Sequence, residues 1–203
     1  MGPSFGGVMS ALVFLLLFFT QPTHGRATDI QLGRISSRVA VEPVHASASE
    51  VAGVYGHQRE DAVSADISEV RTALYLFPDG TYLFVQRASI MPATIFDKGH
   101  WRIASDVLEV TSTRDVTWNP DLERKFLILR RTSHPEEFLL VGTDLALNRF
   151  ERLAGNDAES ALMTVARKRK RAIEPERAAR LKDYLVRKAW HPERFVDAPP
   201  TSF

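Results

Sequence analysis

The sequence predicts a mainly β protein in which an antiparallel meander closes into a small barrel, followed by a C-terminal α-helical tail. The first observation is a hairpin signature at residues 73–85, where two β-rich runs flank the turn Pro78-Asp79-Gly80. Proline presets φ for the first corner of a turn, and glycine accepts the positive φ that the exit often needs. The second observation is that short β-rich segments recur at even spacing, without a long helical pattern before Gly155.

The chain begins with an apolar segment typical of an export signal. Residues 8–19 are almost wholly apolar, which suits a signal-peptide core and is too short for a membrane span of roughly 20 residues. Pro22 breaks the segment, and cleavage after Gly25 or after Ala27 fits the small residues that follow. The alternative is an uncleaved anchor, because no Lys or Arg precedes the apolar run. We expect residues 1–25 to be a cleaved signal peptide and the protein to be periplasmic or secreted.

Cysteine is absent from all 203 residues. Disulfides, thiolate metal sites and thiol catalysis are therefore excluded, and stability must come from burial of apolar surface. The net charge of +1 is unevenly distributed, since residues 1–160 hold 15 Lys plus Arg against 20 Asp plus Glu, whereas residues 161–203 hold 11 against 5. Such a basic C-terminal part can bind an anionic partner or contact the acidic part of its own chain.

Residues 26–50 lack a sustained apolar period, so we expect a mostly extended leader in which residues 31–39 could donate an edge strand. The β-barrel domain is expected at residues 51–154, because turn residues there separate short β-rich runs. The eight predicted strands cover residues 51–57, 70–77, 81–87, 98–103, 107–112, 124–130, 138–141 and 145–153.

Residues 155–203 are expected to form a basic helical tail, since apolar residues there recur at helical spacing and Pro175 suits the first turn of a helix. A basic run is interpreted as a solvated helix end whose cations oppose the negative end of the helix dipole. The alternative is a contact surface for an anionic lipid or polysaccharide. Nucleic acid is not an expected partner behind a signal peptide. The run consists of Arg167, Lys168, Arg169, Lys170 and Arg171.

Four segments carry a resemblance to a known family: Gly-Val-Tyr at 53–55, Leu-Tyr-Leu-Phe-Pro-Asp-Gly-Thr-Tyr at 74–82, Gly-His-Trp at 99–101 and Leu-Glu-Val at 108–110. Together they resemble the small calycin-like, or lipocalin-like, barrels of exported bacterial envelope proteins. The N-terminal domain of copper-resistance envelope lipoproteins is one of these. The resemblance implies the fold alone, because the lipidated cysteine and the Cys-x-x-Cys pair of those lipoproteins are absent here.

Aromatic residues on the predicted strands are the candidate ligand surface. Side chains alternate between the two faces of a strand, so the inward set either fills the core of a small barrel or lines a pocket for an apolar ligand. The candidate ligand-binding residues are Tyr55, Tyr75, Tyr82 and Trp101.

Catalytic and metal-binding motifs are absent from the sequence, including phosphate-binding glycine loops, His-Glu-x-x-His and Gly-x-Ser-x-Gly. The histidines are scattered singly, although His57 and His100 each follow a glycine and could face one another across strands. An acidic loop at residues 60–69 could hold a cation weakly, but a solvated loop is the simpler interpretation. We therefore expect no cofactor, no metal site and no enzymatic activity.

Two hypotheses for the function follow. In the first, the chain is an exported, non-enzymatic envelope protein whose barrel binds a small apolar or amphipathic molecule. In the second, it is an interaction module whose basic C-terminal helices dock on a protein, an anionic lipid or a glycan.

Overall fold

The computed structural model describes residues 24–57, 71–88, 91–113 and 122–189, so residues 1–23 of the predicted signal peptide and the acidic loop at 60–69 lie outside the described residues. The described strands are β1 Val41–Pro43, β2 Gly53–His57, β3 Arg71–Leu76, β4 Thr81–Ala88, β5 Met91–Ala104, β6 Val107–Ser112, β7 Lys125–Arg131, β8 His134–Gly142 and β9 Arg167–Ala172. The described helices are α1 His24–Ser36, α2 Ala48–Val51, α3 Leu145–Leu153, α4 Ala158–Val165 and α5 Pro175–Lys188.

Strands β2 to β9 form a closed, eight-stranded antiparallel barrel, which confirms the predicted fold class. Each strand pairs with its neighbours in sequence order, and β9 pairs back to β2, where His57 lies opposite Arg167. The short strand β1 lies beside the end of β7, with Val41 opposite Arg131. Closure gives every barrel strand two partners, so the backbone groups of the strands bond to one another rather than to a second chain.

The hairpin between β3 and β4 has the predicted turn. Gly80 has a φ of 77°, the left-handed conformation that glycine adopts without strain. The Gly80 amide donates to the Phe77 carbonyl at 3.0 Å, and the Phe77 amide donates to the Thr81 carbonyl at 2.8 Å. Asp79 fixes the exit, because its carboxylate accepts from the amide of Thr81. This is a three-residue hairpin loop with glycine at the left-handed position.

Inward side chains, which alternate with outward ones along the strands, pack the barrel interior. Tyr55, Tyr82 and Phe84 are each at most 1% exposed and pack in one cluster with aliphatic residues of β3, β6, β7 and β8. Outward residues of β7 and β8 form a second cluster with α1, α3 and α4. Outward residues of β2 to β5 form a third cluster, which α5 covers with Leu181 and Leu185.

Residues 145–153, predicted as a strand, form helix α3, so that prediction was wrong. Leu147 and Phe150 are fully buried against the outer face of β8, at a spacing that suits a helix. Asn148 and Glu151 lie on the opposite face, where they bind Arg34 of α1. The buried face therefore recurs with a helical period, although the first apolar residues also alternate as they would in a strand.

The basic run was also predicted wrongly, because residues 167–172 form strand β9 and not the end of a helix. Strand β9 fills the gap between β8 and β2 and completes the barrel. A barrel boundary at residue 154 is therefore too early, and the helices described between residues 155 and 189 are α4 and α5. Pairing on both edges outweighs the basic composition of this strand, in which Ala172 is the one apolar residue.

The leader is more ordered than expected for an extended segment. Helix α1 lies on the second cluster, to which Leu32, Ile35 and Val39 contribute with helical spacing. The edge strand is β1 and not residues 31–39. Ser47 and Glu50 form a reciprocal capping box at the start of α2.

In the parts of the chain that the structure describes, no helix combines the length and apolar character needed to span a membrane.

Candidate functional site

A cavity of about 330 Å³ lies at the end of the barrel where β2 and β8 end and β9 begins. We call this end the barrel mouth. Helix α3 borders the cavity, because the short connection from Gly142 brings Leu145, Ala146 and Arg149 beside the strand ends. The cavity is at the small end of the range typical of ligand pockets, which is roughly 300–1,000 Å³.

One side of the cavity is apolar. Phe126 and Leu140 point inward from β7 and β8, and Val165 approaches from the end of α4. All three are buried, so the floor of the cavity joins the packed interior of the barrel and the helix layer. Such a wall can remove an alkyl chain or a small ring from water, at roughly 25 cal/mol per Å² of buried apolar area.

The other side of the cavity is cationic. Arg167 points into the barrel from β9 and is only 5% exposed. Its guanidinium lies 5.1 Å from the centre of the Phe84 ring and donates to the Thr72 hydroxyl at 3.2 Å. Arg149 reaches the same cavity from the exposed face of α3. Stacking on an aromatic ring explains how an arginine can occupy an inward position of a small barrel.

His57 ends β2 beside these two arginines. Burial, together with the positive charges of Arg167, Arg149 and Lys170, lowers the pKa of His57 to about 4, although a hydrogen bond with the Ala166 backbone acts in the opposite direction. The imidazole is therefore neutral at pH 7. Its Nδ1 atom is buried and has no hydrogen-bond partner in the described part of the chain. A buried polar atom without a partner is rare in folded proteins.

Glu123 attaches α3 to the barrel mouth. One carboxylate oxygen accepts from the Asp144 amide and the other from the Ala146 amide, both at 2.7 Å. These amides belong to the first turn of α3, where backbone donors have no partner within the helix. A Cβ on Gly142 would overlap the Glu123 carboxylate, so glycine leaves room for this contact.

Three of the four predicted ligand-binding residues belong to the filled interior and do not line the cavity. Their polar atoms are bonded within the protein: the Tyr55 hydroxyl to the Val51 carbonyl at 2.7 Å and the Trp101 indole to the Phe77 carbonyl at 2.9 Å. The fourth, Tyr75, points outward into the cluster covered by α5. Core filling, the first alternative for these aromatic residues, therefore describes their packing.

A network of hydrogen-bonded polar side chains surrounds the hydroxyl of Tyr82. Its hydroxyl donates to the Asp97 carboxylate at 3.0 Å, and Arg124 donates to the same oxygen at 2.9 Å. The Ser112 hydroxyl donates to the other oxygen at 2.5 Å. Burial raises the pKa of the Tyr82 phenol, and the Asp97 charge raises it further. Each of these groups is partnered by another, so the network stabilises the barrel wall and offers no open position for a ligand.

The five residues of the basic run do not share one surface. Lys168 points outward and pairs with Glu137. Arg169 points inward, with its guanidinium 4.1 Å from the Phe138 ring centre, and it donates to the Glu50 carbonyl. Lys170 and Arg171 are exposed. Alternation along β9 therefore divides the run between the interior and the surface.

The cavity residues come from distant parts of the sequence, which is why sequence analysis missed most of them. Of this set, Phe126 belongs to the aromatic residues of the predicted strands, and His57 and Arg167 were singled out for other reasons. His57 and His100 do not meet, because His57 pairs with β9 while His100 lies on β5 between Thr81 and Thr111. The available signal was the period of two that places His57 on the face of Tyr55 and Arg167 on that of Arg169.

Within the described residues, no group of three or more His, Asp or Glu side chains is arranged to hold a metal ion. No family model, curated protein or solved structure matches this chain.

Proposed function

We propose that this is an exported, non-enzymatic binding protein of the bacterial envelope whose barrel mouth takes a small amphipathic molecule. The main support for this proposal is the cavity at the barrel mouth. It has an apolar wall of Phe126, Leu140 and Val165 opposite the polar groups of His57 and Arg167. Mixed walls of this kind bind one end of a ligand by burial and orient the other end by hydrogen bonds. The volume suits about ten non-hydrogen atoms, if each takes the roughly 30 Å³ that a water molecule has in the liquid.

Binding is tested by titrating the purified protein with octanol, octylamine and octanesulfonate and following backbone and side-chain resonances by NMR. We expect at least one of these amphiphiles to shift signals of His57, Thr72 and Ala146, which line the cavity. The substitution Ala146→Trp fills the cavity and should abolish the shifts. Ala179→Trp adds the same side chain on the exposed face of α5 and should leave them unchanged. Failure of all three amphiphiles to bind would refute the proposed function.

Export is supported by the apolar segment at residues 8–19, and the absence of cysteine in an exported chain of this size favours the bacterial periplasm. Mass spectrometry of the protein from the producing cells should give a mature start at Arg26 or Thr28, and an intact Met1 would contradict cleavage. Helix α1 starts at His24, so both cleavage positions lie in its first turn.

The second hypothesis, docking through the basic run, has less support. Arg167 and Arg169 contact rings inside the barrel, and Lys168 pairs with Glu137. The exposed cations of α5 remain the surface on which that hypothesis would depend.

A further inference from the structure

The charges that face the cavity come from several elements and have a positive balance. Arg167 extends from β9 and Arg149 from α3, while Glu123 contributes one carboxylate from the segment before β7. Lys170 adds a further positive charge that acts on His57. Arg149 forms no hydrogen bond or ion pair with any residue in the described ranges. A cavity with low-dielectric walls strengthens such a field.

The carboxylate of Glu123 offsets only part of this field, because two arginines and one carboxylate leave a positive balance at the cavity. Both of its oxygens already accept from backbone amides of α3, at Asp144 and Ala146. The amides and the carboxylate therefore satisfy one another, and the guanidinium of Arg149 is left without a donor contact to any residue that the structure describes. Guanidinium groups bind carboxylate, sulfonate and phosphate oxygens through paired, charge-assisted hydrogen bonds.

His57 supplies the second observation. His57 lines the cavity, and its buried Nδ1 atom has no hydrogen-bond partner among the described residues. When both ring nitrogens are protonated, histidine has two donors, so a protonated His57 could donate to a ligand through Nδ1. In the free protein burial opposes that protonation most strongly, and the neighbouring arginines oppose it further. A bound anion would offset their charge.

We propose that the ligand of the barrel mouth is a small amphiphile with an anionic head group, which Arg149 and Arg167 hold while His57 takes up a proton and donates through Nδ1. The proposal rests on the proposed function, because it names the ligand class of the same cavity. The alkyl part lies toward Phe126, Leu140 and Val165, and the head group lies toward α3 and the start of β9.

Head-group selectivity is the first test. We expect octanesulfonate to bind about tenfold or more tightly than octanol in calorimetric titrations, since a hydrogen bond to a charged group contributes roughly 1.5–3 kcal/mol. Octyltrimethylammonium should not bind measurably. Equal affinity for octanesulfonate and octanol would overturn this proposal and leave the proposed function intact. Tighter binding of the cation would also overturn it, whereas no binding by any amphiphile would refute the proposed function itself.

Arg149→Gln is the matched variant, because Arg149 is exposed on α3 and its removal should not impair folding. We expect it to weaken octanesulfonate binding several-fold and to leave octanol binding unchanged. Arg180→Gln removes the same charge from the exposed face of α5, outside the cavity, and serves as the control. An equal loss of octanesulfonate affinity in the two variants would mean that only the net charge of the protein matters. That result would overturn the role of Arg149 in binding the head group.

Proton uptake is the second test. Octanesulfonate stays ionised across the working range, so its affinity should rise as the pH falls from about 7.5 to about 5.5, by up to about tenfold if the bound pKa returns to the ordinary value of histidine. Titrations in two buffers of different ionisation enthalpy should show proton uptake at the lower pH. His57→Gln should remove both the uptake and the pH dependence. Anion binding without proton uptake in the unsubstituted protein would overturn the role of His57.

Discussion

His57 is kept neutral by burial beside cations, and this environment makes the stability of the protein depend on pH. The pKa of His57 is about 4 in the folded chain against an ordinary value of 6.5. The unfolded chain therefore binds the proton more readily. Its contribution to stability is fully present above pH of about 6.5 and is lost as the pH falls toward about 4.

We predict that His57→Gln flattens the dependence of the unfolding free energy on pH between about 4 and about 6.5. The slope due to one group cannot exceed about 1.4 kcal/mol per pH unit. Denaturant unfolding at several pH values measures it, with His134→Gln as the control, since His134 is exposed. A profile with the same slope in His57→Gln as in the unsubstituted protein would mean that His57 does not titrate as described.

At the scale of elements, α3 depends on a cap from outside the helix. Asp144 occupies the N-cap position but makes no capping bond with its side chain. The carboxylate of Glu123 takes that role and carries a negative charge to the positive end of the helix. The same contact fixes α3 beside the barrel mouth, so helix capping and the shape of the cavity depend on one side chain.

We predict that Glu123→Gln lowers the unfolding free energy by about 1 kcal/mol, the usual cost of losing a cap. A glutamine keeps one acceptor but loses the second acceptor and the charge. Glu136→Gln, at an exposed position of β8, removes the same charge without a cap and should cost much less. Thermal unfolding of both variants measures the difference, and equal costs would contradict the capping role.

The hairpin, the meander and the position of α5 could be predicted from sequence, because their signals are local. The turn at Gly80 depends on adjacent residues, and the apolar stripe of α5 lies within a few helical turns. Helix α3 was missed because Leu145 and Leu147 alternate like a strand before Phe150 reveals the helical period. Strand β9 was missed because arginines replace apolar residues on its inward face, which depends on rings that lie far away in sequence.

The cavity was the least predictable feature. Its residues lie on five strands or their flanking segments and on two helices, and none of them forms a motif with its neighbours in the chain. The candidate aromatic residues were instead interior, because a barrel of eight strands is only wide enough for side chains to fill most of its inside. The cavity lies instead at the barrel mouth, where residues of α3 border the strand ends.

At the scale of the whole molecule, the barrel depends on its C-terminal region. Strand β9 pairs with both β8 and β2. Helix α5, in contrast, covers the outer face of strands that are already paired. The two elements therefore contribute in different ways, although they are close in sequence.

We predict that a chain ending at Ala166, which lacks β9 and α5, loses cooperative unfolding. A chain ending at Ile173 lacks α5 alone and should unfold cooperatively at a lower midpoint, since Tyr75 and Phe77 lose their cover. Circular dichroism during denaturant titration compares the two. Cooperative, native-like unfolding of the shorter chain would mean that the barrel does not need its closing strand.

The order in which the barrel can be assembled follows from the pairing of β9 with β2. His57 lies opposite Arg167 in the folded protein, so more than half of the chain separates the partners of this contact. The early hairpins can form one after another, but β2 keeps an unpaired edge until the last strand is available. Such long-range closure slows folding and leaves the edge open to pairing with other chains. We therefore expect the nascent meander to depend on a chaperone until β9 is available.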